Sequence, residues 1–238
     1  MISTMFQHRG SGHMYLVAIA GSARRNGNSE RLLDLFIDEF ISNASDWHVE
    51  KLVLIDGGKV KDKEIMGTGV LKGLDIHRYP NSETSTDERV WNINPCLGCD
   101  FCVSGKCVQE DSMVEMYEKL KVADVVVLSS PVYFYGVPSH VKAIIDRCQL
   151  FYNKKYTRKE RWRDKPGTGV LLCCGATRGD SLFTGISASA IFWYDAIDFE
   201  YAGKVLVRGV DKPTAIDGRK EALEETRALA RSIAERYR

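Results

Sequence analysis

Neither sign of charge predominates in this sequence, no apolar run is long, and no segment repeats. Lys and Arg total 33 against 32 Asp and Glu, a formal charge of +1. No global field therefore draws the chain to nucleic acid or to a membrane surface. The longest purely apolar runs, such as Val125–Leu128 and Val170–Cys174, fall far short of the roughly 20 residues a membrane helix needs. Residues 1–13 carry no apolar stretch before a small-residue cleavage site, so they read as a flexible leader, not an export signal. The fold is expected to begin at Met14. Without an export signal, the seven cysteines imply a reducing, cytoplasmic setting, where thiols serve metals or redox chemistry instead of disulfides.

What the sequence does have is an alternation of two hydrophobic periods over 238 residues, the length of one large domain. Tyr15–Ala20 reads as a buried first strand, and Glu30–Ser42 as a helix with apolar residues at 33, 36, 37, 40 and 41. Trp47–Ile55 alternates apolar and charged residues, as a strand near an edge would. Ser112-Met113-Val114-Glu115 has a capping-box pattern and opens a helix. Val125–Ser130 and Gly169–Cys174 are continuous apolar strands. Ser139–Cys148, Leu182–Ile197 and Asp217–Arg236 are helices, and Lys204–Val210 is the last strand. Five such units predict an α/β fold of the flavodoxin-like kind, a doubly wound five-stranded parallel sheet in the order 2-1-3-4-5. The ligand crevice then lies between strands 1 and 3. Residues 56–94 lack periodicity and exceed ordinary loop length, so they are an insertion within the domain spanning 14–238. Cys148, Cys173 and Cys174 sit in apolar patterns and are expected in the core.

The first strand runs into Gly21-Ser22-Ala23-Arg24-Arg25-Asn26-Gly27-Asn28-Ser29. Free backbone N–H groups and the positive end of a helix dipole suit a phosphate, and hydroxyls at 22 and 29 add donors. The loop lacks the Gly-Lys-Ser/Thr ending of a nucleoside triphosphatase and the Rossmann glycine spacing. A plain polar turn that caps the helix is the alternative. Strand 3 ends in Ser130-Pro131-Val132-Tyr133-Phe134-Tyr135-Gly136-Val137-Pro138, where Gly136 lets a flat ring approach the backbone. Three aromatics in a row at a loop tip suggest a ligand or a partner, or packing beneath neighbouring loops. A phosphate site beside a flat aromatic slot asks for a phosphorylated planar cofactor. FMN fits better than a dinucleotide, because no acidic ribose-binding residue marks the end of strand 2.

Residues 95–108 hold Cys96, Cys99, Cys102 and Cys107 in a C-x₂-C-x₂-C-x₄-C run. The spacing lets all four thiolates reach one [4Fe–4S] cluster, with Gly98 and Gly105 permitting the tight backbone. A zinc site, which usually takes two separated pairs, or no metal at all, are the other readings.

The loop 21–29, the stretch 130–136 and Val141-Lys142-Ala143-Ile144-Ile145-Asp146-Arg147 resemble the NADPH-dependent FMN reductase superfamily. The cysteine run narrows the likeness to the iron–sulfur flavoproteins of anaerobes. The resemblance implies that Ser22, Arg24, Asn28 and Ser29 hold the FMN phosphate. It implies that the backbone of Pro131, Val132, Tyr133, Phe134 and Gly136 borders the isoalloxazine, with Gly175, Ala176 and Thr177 on its other side. It also implies a homo-oligomer, dimer or tetramer, and electron transfer between cluster and flavin. A cluster-free NAD(P)H-dependent FMN or quinone reductase and a zinc-holding redox-sensing module are the alternatives. The cationic stretch 154–165 is either a solvated loop, a dock for an acidic electron carrier such as ferredoxin, or a contact for the phosphate of NAD(P)H, the candidate donor. His77 and His140 are candidate proton donors or ordinary surface residues.

Overall fold

Strands that are apolar on both faces must be covered on both, and the computed structural model, which describes residues 14–55, 84–87 and 91–238, shows how. Parallel strands β1 (Tyr15–Ala20), β2 (His48–Val53), β3 (Thr84–Asp87), β4 (Val125–Pro131), β5 (Gly167–Gly175) and β6 (Phe199–Arg208) form one sheet in the order β3-β2-β1-β4-β5-β6. The five expected strands keep their 2-1-3-4-5 order. The sixth, β3, lies within the expected insertion and adds an outer edge beside β2. Residues 56–83 and 88–90, including His77, lie outside the described residues.

The pleat sends alternate side chains to opposite layers. Leu16, Ala18, Val125, Val127, Val170 and Leu172 face helices α1 (Asn28–Asn43) and α6 (Lys220–Glu235) through Leu33, Phe36, Phe40, Ala230 and Ile233. Val17, Ile19, Val126, Leu128 and Leu171 face α2 (Met113–Val122), α3 (Ser139–Arg147), α4 (Gln149–Tyr152) and α5 (Thr184–Ala196). The two sides behave as separate cores, with Cys148 and Cys173 on one and Cys174 on the other, all three buried.

Two local expectations, the capping box and the start of the last strand, need correction. The charges of β2 are paired internally: Glu50 receives Lys119 Nζ at 2.7 Å on one face, and Lys51 Nζ reaches Glu30 at 2.9 Å and Asp34 at 2.6 Å on the other. Burial of both charges is tolerable because each has a close opposite partner. The capping box at Ser112 does not form. That residue already has helical angles and makes no side-chain cap, and Asp111 Oδ1 accepts the Met113 N–H at 3.0 Å instead. The last strand starts at Phe199, not Lys204, because its first half is a partly exposed edge without an apolar run. Among the described residues no helix is long and apolar enough to cross a membrane.

Candidate functional site

The strand order reverses between β1 and β4, so the connections leaving their carboxyl ends diverge to opposite faces and open a crevice. On one wall Gly21 N donates to Ser129 O at 2.7 Å, and a Cβ at 21 would collide with that oxygen and with Val141. The glycine is thus required by this close approach. Ser22 Oγ accepts the Arg24 N–H and donates to Arg24 O, both at 3.1 Å, which locks a small turn. At its end α1 begins without any side-chain cap, so its first-turn N–H groups and dipole face the crevice. Behind the loop His140 Nε2 lies 3.0 Å from Gly21 O. Burial lowers the imidazole pKa more than that contact raises it, so the neutral ring donates to the carbonyl and acts as a strut.

The opposite wall is the loop after β4. Tyr133 and Gly136 exchange both backbone hydrogen bonds at 2.9 Å around a two-residue turn whose central residues, Phe134 and Tyr135, have φ of 48° and 63°. Such left-handed angles are the domain of Gly and Asn in turns of this kind. Here two aromatics adopt them, and the Phe134 ring projects wholly into solvent. The resulting cleft, open to solvent, is lined by Ser22, Arg24, Asn28 and Ser29, by Pro131, Val132 and Tyr133, and by Gly175 and Ala176. Its lining, a cation and a helix start at one end and backbone of the 131–133 and 175–176 loops at the other, suits a planar cofactor with one phosphate.

Further along, residues 94–111 make a loop tied at its base. Arg147, buried at the end of α3, donates to Asp111 at 2.8 and 3.1 Å and to Asn94 O at 3.1 Å, and Asn94 N–H reaches Asp111 Oδ2 at 2.9 Å. Burial opposes ionisation of Asp111, but these donors outweigh it and hold the carboxyl below its usual range. Gln109 to Pro95 O at 3.0 Å closes a second tie. Gly98, Asp100 and Gly105 take left-handed angles around the one-turn helix Phe101–Ser104.

All four cysteines of this loop are free thiols. Gly98 N–H approaches Cys96 Sγ at 3.5 Å, and Asn153 Nδ2 approaches Cys102 Sγ at 3.0 Å. Burial, then the neighbouring Cys96 and Cys107, push the Cys102 thiol up despite its hydrogen bonds. Among the described residues no three side chains are already gathered as metal ligands. The donor set nonetheless fits an iron–sulfur cluster: four soft unbridged sulfurs, two of them already facing N–H groups of the kind that stabilise cluster sulfur.

Comparison with known proteins decides the family. The profile described as NADPH-dependent FMN reductase matches residues 14–191. The chain belongs to the NADPH-dependent FMN reductase family. It is 30% identical over 170 residues to an iron-sulfur flavoprotein of Archaeoglobus fulgidus, covering 71% of this chain and 59% of that one. The chain spans roughly a third to three fifths of the length of the curated relatives it matches. Among solved structures, an azoreductase from Bacillus anthracis superposes with a TM-score of 0.60 at 14% identity, over 92% of this chain and 99% of that one. An FMN-dependent NADH-azoreductase of Bacillus anthracis, solved with FMN, gives 0.54 at 14% identity over 94% and 99%. At such identities these two show a shared fold.

Within this family member, the expected cofactor residues fall into two groups. Those named above line the cleft, whereas Phe134, Gly136 and Thr177 do not. Asn28 lines it, but its side chain is engaged elsewhere, donating to Lys212 O at 3.0 Å and accepting from Ile216 N–H at 3.1 Å. The Ser29 hydroxyl is hydrogen-bonded to the buried Cys174, whose pKa burial pushes up to about 12 against that bond. Sequence reading missed Arg25, Gly27, Cys174, Val210, Asp211 and Pro213 on the lining. Arg25 and Gly27 lay inside the loop already singled out; residues 210–213 follow the last strand and therefore share the same sheet edge. The cationic stretch is largely matched internally. Lys155 pairs with Asp195 and Asp198, Arg161 with Asp198, Arg158 with Glu160, and Lys154 sits 4.0 Å from the centre of the Trp162 ring.

Proposed function

We propose that this chain is an FMN-dependent oxidoreductase that transfers electrons between a [4Fe–4S] cluster on Cys96, Cys99, Cys102 and Cys107 and FMN in the β1/β4 cleft. The observation that carries the reading is the meeting of an uncapped helix start, Ser22 and Arg24 with the flat wall 131–133 and 175–176. The phosphate is held by first-turn N–H groups of α1 and by Arg24. The wall 131–133 borders one side of the ring, and Gly175 and Ala176 border the other. When bound, the flavin exchanges two electrons or one, which lets it join a hydride donor to a one-electron carrier. NAD(P)H or an acidic carrier such as ferredoxin is the donor class. Helix α3 links the two centres mechanically. Its amino end carries the wall loop and its carboxyl end carries Arg147 of the clamp, at opposite ends of a helix of nine residues, about 12 Å apart. We further propose a homo-oligomer, dimer or tetramer, because Phe134, Phe192 and Leu97 are exposed large apolar side chains; size-exclusion chromatography tests this.

Visible absorption with iron and acid-labile sulfide analysis of anaerobically reconstituted protein is the deciding experiment. Flavin bands with a broad cluster shoulder are expected, and C99A or C102A should lose the shoulder and keep the flavin. Flavin without sulfide would make the chain a cluster-free reductase. Zinc without sulfide would make the cysteine loop a structural metal site.

A further inference from the structure

We propose that Asn153 is a positioning residue for the cysteine centre, its amide N–H group holding Cys102 Sγ and raising the reduction potential of the cluster that Cys102 helps to ligate. The inference rests on the cluster reading above.

Asn153 is 6% exposed, and its Nδ2 stands 3.0 Å from Cys102 Sγ. Its orientation is set from the other end, where the Thr157 hydroxyl donates to Oδ1 at 3.2 Å. With the oxygen engaged, the NH₂ group faces sulfur. The backbone here is a π-helical turn, Asn153–Thr157, closed by Arg158 N–H on Asn153 O at 2.9 Å. Such turns are rare, distort the preceding helix and tend to persist where they aim a functional side chain. This one serves both ends of one cysteine turn. Asn153 meets Cys102, and Arg158 lies against Gly105, where an added Cβ would come within 2.3 Å of its Nη1.

A neutral thiol is a weak acceptor, a poor match for a buried amide donor. A thiolate is a strong one. An N–H···S contact alone does not mark a cluster ligand, since Trp193 Nε1 approaches Cys148 at 3.2 Å in the core. Cys148 is the lone cysteine of its segment, whereas Cys102 belongs to a run of four on a loop tied at its base. Donors to cluster sulfur favour the more negative, reduced state, so their removal lowers the potential.

The test is a redox titration of anaerobically reconstituted wild type, N153L, N153D and N153Q, following cluster and flavin separately by electron paramagnetic resonance and visible absorption. N153L should move the cluster equilibrium at least tenfold toward the oxidised form, about 59 mV for one electron. N153D, isosteric but without the donor and carrying negative charge, should move it further. N153Q, which keeps an amide, should restore part of the loss, and the flavin couple should stay in place throughout. A cluster potential indifferent to residue 153, or one that moves together with the flavin, overturns this role alone. A wild-type protein without acid-labile sulfide overturns the cluster reading and this role with it.

Discussion

At the head of α1, Glu30 is buried with its oxygens divided between the Asn26 N–H at 2.6 Å and Lys51 Nζ at 2.9 Å, with Arg25 at 3.4 Å. It does not itself line the cleft, but it pairs with Arg25, which does, and it holds the left-handed Asn26 and so the curl of the loop that presents Arg24. Removing one partner of a buried ion pair leaves the other charge stranded, at a cost of about 3–5 kcal/mol. E30A should therefore lower unfolding free energy by about 3 kcal/mol and loosen FMN together; urea unfolding and flavin titration measure the two. A variant as stable as wild type would show that Asp34 alone satisfies Lys51. Asp111 gives a pH signature. Its folded pKa is depressed, so its stabilisation is complete above the unfolded carboxyl value, about 3.9, and is lost as pH falls below that value through the folded pKa. Unfolding free energy should drop as pH falls below about 4, and D111N should flatten that limb. An equally steep limb in D111N would assign the acid sensitivity to other carboxylates.

The turn 133–136 is the element where local preference and structure disagree most. A bulky residue in the left-handed region costs about 1–2 kcal/mol, and glycine at such a site recovers more than its own chain entropy loses. The Phe134 ring is fully exposed in the single chain, so removing it costs the subunit no internal packing. F134G should accordingly stabilise the fold by about 0.5–1 kcal/mol while reducing flavin-dependent turnover, the pattern of strain kept at a working site. A loss of stability would mean that the ring packs in solution. This turn was not legible in the sequence, because nothing in Tyr-Phe-Tyr-Gly announces positive φ at its two central residues. Strands β1, β4 and β5 were legible, since burial on both faces writes an unbroken apolar run. Strand β3, Thr84-Ser85-Thr86-Asp87, was not: four polar residues at an edge carry no apolar pattern. The wall at 210–213 was hidden for a different reason, as only the closed sheet brings the end of β6 beside the first loop.

At the scale of the whole molecule, the cleft joins both cores, because its walls leave β1 toward one helical layer and β4 toward the other. A ligand seated there binds the folded sheet and not the unfolded chain, so it stabilises by mass action, about 2.7 kcal/mol at a hundred times its dissociation constant. In the proposed binding mode the phosphate end of that ligand faces the α1 start, where Ser22 locks the turn and Arg24 is exposed. FMN should therefore raise the melting temperature of the apoprotein well above the rise given by riboflavin, which has the same ring and no phosphate. A hydrogen bond to a charged group contributes roughly 1.5–3 kcal/mol, and Ser22 holds the turn that presents Arg24, so the double variant S22A/R24Q should bind FMN about a hundredfold more weakly. Riboflavin affinity should be unchanged, since the ring wall at 131–133 and 175–176 is intact. Differential scanning calorimetry and flavin fluorescence titration read both numbers. If riboflavin stabilises as well as FMN, or if S22A/R24Q weakens the two flavins equally, the phosphate does not lie at this loop.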